Sequence, residues 1–329
     1  MRLLNKKPPP HCPHPRSQQG ITLIELMIAL VIGLLATGAM LKVYVDSSRL
    51  YRFNENLARI QENGRFGLEF IRRDARMAGL WGCNSAVIPK WHSPDSSSAS
   101  YIAFEAGDVT GTDNDGLNKS DSITFTQAAS GSMVTDVDMD SASSVVSVVS
   151  ADSLGDFADG DVLIITDCVT ADIFEFKSTG TELSKAYAAG SRLYRVQQTT
   201  FCIAEGANPA QPSLRQLVNP TSGQTCQDHG DELVEGIENM QVLFGEDTDA
   251  NDDGTNSDGT ANRYLSFGAD DLDMDRVVSV RIFLLARSLN DNLTTEPSPY
   301  FFVEQEPAPD DKRLRKVFTT TITLRNKSG

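Results

Sequence analysis

An α+β fold is predicted, with one long N-terminal helix laid on an antiparallel β-sheet head. Three features predict it. Residues 21–41 form an apolar run, "ITLIELMIALVIGLLATGAML". Residues 42–79 lack proline and repeat apolar or small residues at helical spacing. From residue 121 onward, β-branched and aromatic runs alternate with turn residues. The boundaries implied are a leader at 1–20, a membrane half of the helix at 21–41, an amphipathic half at 42–79, and a β-rich head at 80–329.

Over 21–41 the clearly polar positions are Thr22, Glu25 and Thr37, and Lys42 ends the run. A helix of that length rises about 30 Å, the thickness of a bilayer core. The preceding stretch holds Arg2, Lys6, Lys7 and Arg16 and no acid, so it stays in the cytoplasm and the remainder crosses. A secretory signal peptide has a shorter apolar region and a small-residue cleavage site. Here the nearest candidate for such a site is "LATGAM".

A carboxylate inside a membrane span is costly and needs a partner. Glu25 lies four residues after Ile21. A cut after Gly20 would give Ile21 a free α-amino group one helical turn from that acid. Amine and carboxylate would then neutralise each other, within one chain or between neighbours. The small Gly20 leaves room for a protease to approach.

"G-ITLIEL" followed by an apolar helix resembles the type IV prepilin signature. In that family a prepilin peptidase cuts after the glycine and methylates the new N-terminus. The resemblance implies cleavage at Gly20, methylation at Ile21 and an assembly role for Glu25. Two positions depart from the family: Ile21, where phenylalanine is commoner, and Lys42, where major pilins usually have proline. The second favours a minor pilin over the main fibre subunit.

Along the stem, Phe53, Leu57, Ile60, Gly64, Leu68, Ile71, Ala75 and Ala78 trace one helical stripe. The helix is expected from Ile21 to about Gly79. Gly33, Gly38 and Gly64 are its weak points, each costing about 1 kcal/mol against alanine. The opposite face is charged, with pairs such as Glu55–Arg59 and Glu69–Arg73. Residues 42–79 carry 8 basic and 5 acidic side chains, whereas 80–329 carry 17 and 39. The stem face is either plainly solvated or docks on acidic neighbours. Net charge over the whole chain is −16, which repels nucleic acid from most of the surface.

In the head, strands are expected at 121–127, 143–150, 160–167, 172–177, 192–204, 275–288 and 316–326. The segment 232–245 reads as helix or strand, with a turn and then a strand at Met240–Phe244 favoured. In the last strand Phe318, Thr320, Ile322 and Leu324 alternate with Val317, Thr319, Thr321 and Thr323, a half-buried pattern. "LVEGIENMQVLFG", "DRVVSVRIFLLARS" and "VFTTTITLRN" look like segments of PilW-type minor pilins, which share their plan with the J pseudopilin of type II secretion. Glu25 argues against the K pseudopilin, which lacks that acid. The resemblance implies partners in the prepilin peptidase, other minor pilins, the major pilin and the inner membrane. It implies pilus assembly and, through the fibre, twitching motility, adhesion or DNA uptake. A membrane-anchored periplasmic enzyme or binding protein is the rival of another class; it predicts an uncut leader and a ligand pocket.

Cys12 precedes the apolar run, and Cys83, Cys168, Cys202 and Cys226 follow it. An even set on the far side of a membrane fits two disulfides; the alternative is four reduced core cysteines. Proximity suggests Cys202–Cys226, leaving Cys83–Cys168, one of three pairings. Without a C-x-x-C pair, a zinc site is disfavoured. In "EDTDANDDGTNSDG", Asp249, Asn251, Asp253 and Gly254 begin a calcium-loop pattern, with Ser257 at its ninth position. Thr260 stands at the twelfth, where a bidentate glutamate belongs, so a polar surface loop is the competing reading. No other cofactor is implied. His92 and His229 are expected in exposed polar loops, and no nucleophile or metalloprotease motif is present, so no enzymatic activity is expected.

Overall fold

The computed structural model describes residues 20–82, 89–92, 107–146, 157, 159–180, 182–208, 211–221, 223–249, 258–297, 299–303 and 309–327. The chain divides into two units, Met1–Arg52 and Phe53–Gly329. Helix α1 runs Leu23–Met77, within two residues of the expected bounds at each end. Up to Leu41 it is apolar on every side apart from Glu25 and Thr37. Among the described residues it is the one helix long and apolar enough to cross a membrane. It starts where the Thr22 hydroxyl accepts the Glu25 backbone N–H at 3.3 Å, which satisfies one of the unpaired donors of the first turn.

In the second unit the stem from Phe53 onward lays one face on the head. Ile60, Ile71, Ala75 and Ala78 are buried there, as the stripe predicts. Gly64, named above as a weak point, is instead a site of close approach. A Cβ on it would stand 2.3 Å from the Phe318 ring. One turn on, a Cβ on Gly67 would stand 3.0 Å from Leu284 Cδ1.

Polar residues share this buried face. Asn56 accepts from Asn290 Nδ2 at 3.2 Å, and Asn63 Nδ2 donates to the Glu235 carbonyl at 2.8 Å. Asp74 accepts from Gln216 Nε2 at 3.2 Å, and burial raises its pKa against the pull of Arg73. Such partners offset the cost of taking these groups out of water. On the solvent face Arg59 pairs with Glu55 at 3.1 Å. Glu69 pairs with Arg72, and Arg73 turns to Asp74 at 3.5 Å in place of the expected Glu69.

Among the described residues the head holds two sheets. The larger has nine strands: β1 (Lys90–His92), β2 (Val109–Thr112), β3 (Ser122–Ala128), β4 (Met133–Val134), β5 (Val162–Thr166), β6 (Ala171–Glu175), β7 (Arg192–Glu205), β8 (Pro212–Val218) and β9 (Asp231–Glu235). The 14-residue β7 is its spine. Its first part pairs with β4 and β5, its middle with β3, and its end with β8. The β1–β6 pair is parallel and the other pairs are antiparallel. The smaller sheet has the order β11-β10-β12-β13, all antiparallel, with β10 at Ile237–Glu246, β11 at Arg263–Ser266, β12 at Val277–Arg287 and β13 at Arg315–Thr323.

The main core joins the stem to both sheets through Ile123, Phe125, Phe201 and Ile203 on one and Val242, Phe244, Ile282 and Ile322 on the other. In β5, Leu163 and Ile165 face one satellite core while Ile164 faces another. Such a strand, buried on both faces, reads as an unbroken apolar run.

Most expected strands form within two residues of their predicted bounds. Two readings need correction. Residues 143–146 form a turn and irregular backbone, and 147–150 lie outside the described residues. In the segment 231–246 the expected strand at Met240–Phe244 lies within β10, but the part before it is a second strand, β9. Gly236, at φ +81°, turns the chain from one sheet to the other. Asp121 bridges the two sheets: its carboxylate accepts the backbone N–H groups of Asn114 at 2.9 Å and Val242 at 2.7 Å. Burial pushes its pKa up to about 6, against those two hydrogen bonds.

Candidate assembly site

The site begins at Gly20, exposed and just outside the helix, followed by Ile21 at 75% exposure. Glu25 is exposed in the first turn of α1, where a negative charge also favours the helix N-terminus. Around and beyond it Leu23, Ile24, Met27, Ile28, Val31 and Leu35 are each more than half exposed. A fully buried side chain of this kind gains about 1.5–3 kcal/mol over an exposed one, so such a surface calls for an apolar partner phase. Thr37 donates its hydroxyl to the Gly33 carbonyl at 2.8 Å, so its polar atom is satisfied within the helix. The arrangement is an apolar rod carrying one acid at its tip. It can insert, bundle and match a single positive charge.

In the head, Cys202 on β7 and Cys226 on α2 (Cys226–His229) form a disulfide with a Cα–Cα distance of 6.0 Å, packed with Leu217. Cys168 is also disulfide-bonded. Cys83 lies outside the described residues, and with it the Cys83–Cys168 pairing. Of the calcium pattern, Asn251, Asp253 and Ser257 lie outside the described residues. Asp249 accepts from Asn262 Nδ2 at 3.1 Å and gives its N–H to Asp247 at 3.1 Å. Among the described residues no three His, Cys, Asp or Glu side chains gather as a metal-ion group.

His229 is exposed on α2, as expected of it. His92 is not in an exposed loop. It sits on β1 with Nε2 2.9 Å from the fully buried Asp172. The same carboxylate accepts from Ser184 Oγ at 2.7 Å and Tyr187 OH at 3.0 Å. Ser184 bonds the acid rather than the imidazole, so the cluster ties β1 and the 182–187 segment to β6 and presents no activated hydroxyl.

Residues 15–41 match the prokaryotic N-terminal methylation motif, and residues 194–326 match the family described as Type IV Pilus-assembly protein W. Over these two stretches the chain is similar to PilW-type type IV pilins. The PilW match begins within β7 and takes in β8–β13, so it covers the smaller sheet and part of the larger one. No curated protein matches the chain. Among solved structures, a type IV-like pilin from Thermus thermophilus aligns over 82% of this chain and 99% of its own, at 10% identity and a TM-score of 0.36.

The polar contributors to the stem–head contact, Asn56, Asn63 and Asp74, escape a reading that counts only apolar positions. Their signal is spacing: 56, 60, 63, 67, 71, 74 and 78 step by three or four throughout, so these residues share the period of Ile60 and Ile71.

Proposed function

We propose that this chain is a PilW-type minor pilin that takes part in initiating or building a type IV pilus. It is held in the inner membrane with its leader in the cytoplasm and its head in the periplasm, and is then cut after Gly20 by a prepilin peptidase and methylated at Ile21. The observation that carries the reading is the exposed apolar half-helix with Glu25 in its first turn, directly behind Gly20. In the membrane Glu25 meets an N-terminal amine. During assembly the apolar helices bundle, and each acid pairs with the amine of a neighbouring pilin. The match to a pilus-assembly family supports the fibre over a type II secretion pseudopilus. Twitching motility, adhesion and DNA uptake follow from the fibre rather than from this chain. None of these steps calls for a cofactor bound by this chain; the methyl group on Ile21 comes from a donor used by the peptidase.

Deleting the gene and imaging surface pili tests the reading. Loss or strong reduction of pili is expected, and normal pili and motility would overturn it. A narrower test is Glu25→Ala. A cleaved, stable subunit that no longer supports assembly is expected; unchanged assembly would sink the charge-matching account.

A further inference from the structure

We propose that the outer edge of β13 is a docking edge, covered in the assembled fibre by an extended, acidic strand from the head of a neighbouring pilin subunit. This rests on the fibre reading above. In the ladder between β12 and β13, Leu324 N–H donates to the Val278 carbonyl at 2.8 Å, and Ser288 N–H donates to the Leu314 carbonyl at 2.8 Å. With the register that pairs Val280 with Ile322 and Ile282 with Thr320, the even-numbered residues of β13 spend their main-chain groups on β12. The main-chain groups of Val317, Thr319, Thr321 and Thr323 therefore point away from it, and among the described residues no strand pairs with that side of β13.

Long open edges are a liability, and proteins normally blunt them. The other strand edges among the described residues are blunted. β1 has three residues, β4 two, and β2 and β11 four each. β9 carries a register shift and has its Glu235 carbonyl taken by Asn63. β13 alone among these edges has nine residues, an unbroken register, and neither proline nor glycine. Its outer face is a row of exposed threonines at 319, 321 and 323, which suits pairing with another strand.

Charge sets the kind of partner. Residues 80–329 carry a net −22, yet β12, β13 and the residues up to Lys327 hold no acid. Lys316 and Arg325, both exposed, bracket the open edge. A second β13 paired antiparallel about Thr319 would place Arg313 opposite Arg325, a like-charge contact. An acidic strand places opposite charges there instead.

Two experiments test the edge. In the first, full-length protein in detergent is titrated with a synthetic nine-residue peptide of alternating glutamate and valine while amide exchange is followed. At least tenfold slowing at Val317, Thr319, Thr321 and Thr323 is expected, and much less with lysine in place of glutamate. No slowing, or equal slowing by both peptides, would overturn the proposal. In the second, Thr321→Pro removes an edge donor without touching the β12 ladder, and Thr321→Ala keeps it. Pili at less than a tenth of the parental number with the proline variant and near-parental numbers with alanine are expected. Parental numbers with a folded proline variant would overturn the proposal. If the peptide protects the edge while gene deletion leaves pili normal, the fibre reading fails and the edge chemistry stands.

Discussion

Gly33 and Gly38, in the first half of α1, have no atom beyond their chain neighbours and the helix's own backbone within 4 Å of where a Cβ would stand, whereas a Cβ on Gly64 would fall 2.3 Å from the Phe318 ring. Side chains follow the same division. Ile28 and Leu35 are 55% and 67% exposed, and Ile60 and Ile71 are at most 2%. One half of the helix therefore leaves its apolar side chains exposed, and the other has made its contacts within the chain. Residues of one chemical type are exposed in one half and buried against the head in the other. Residues 21–41 expose an apolar surface with one acid, Glu25, and are the assembly element in the function proposed above. The second half is the wall of a core, where the same small residues let a phenylalanine and a leucine approach the helix backbone.

Substitutions in the two halves should separate cleanly, and the largest effect is expected at Glu25. Glu25→Ala should abolish fibre incorporation while leaving the thermal midpoint of the head unchanged, as melting and pilus imaging on the same variant would show. A fall in the midpoint would mean that the halves are energetically coupled. Next is the head's own staple. Cys202→Ser with Cys226→Ser should cost about 3–4 kcal/mol by the chain-entropy account of a loop this long, read from denaturant unfolding. Membrane insertion should be untouched.

Asp121 makes a similar contribution that depends on pH. Its folded pKa of about 6 lies above the ordinary value of 3.8, so the folded head holds this proton more tightly than the unfolded chain. Its contribution is present in full at low pH and is lost as pH rises through about 6, amounting to about 3 kcal/mol. Asp74 and Asp108 shift in the same direction through burial, whereas the Asp311 pKa is lowered, chiefly by its hydrogen bond to Arg315. The clean measurement is therefore the difference between the parent and Asp121→Asn across pH 4–7. A difference that does not change with pH would remove Asp121 from this account.

Gly64→Ala should destabilise the head by about 1–3 kcal/mol through overpacking, partly offset by roughly 1 kcal/mol of helix propensity. Gly33→Ala, the smallest effect, should leave the head midpoint where it is. If the two alanine variants melted alike, the contrast between open and packed glycines would fall.

Much of this was legible in the residues. The 3-and-4 spacing of Ile60, Ile71, Ala75 and Ala78 gave both the helix and its buried face, and alternation in 316–326 gave the inward set Phe318, Ile322 and Leu324. Such patterns are local and periodic, and burial on one face is what creates them. Less local features were not legible. Gly64 looked like a break because its partner, Phe318, is 254 residues away. The segment 231–246 looked like one ambiguous element because its two halves belong to different sheets. His92 looked exposed because its partner, Asp172, is 80 residues on.

By itself the sequence determined the apolar half-helix, the place of Glu25 behind Gly20, the stripe that carries the head, and the spacing that favours the Cys202–Cys226 bond. Each is set by composition, or by residues near one another along the chain. Tertiary structure decided which glycines are contacts, that β7 is the spine of one sheet and β12 lies inside another, and that β13 is left as the long open edge. Those outcomes depend on which strand lies beside which, and hydrogen bonds between segments distant in sequence leave no period in the sequence to read.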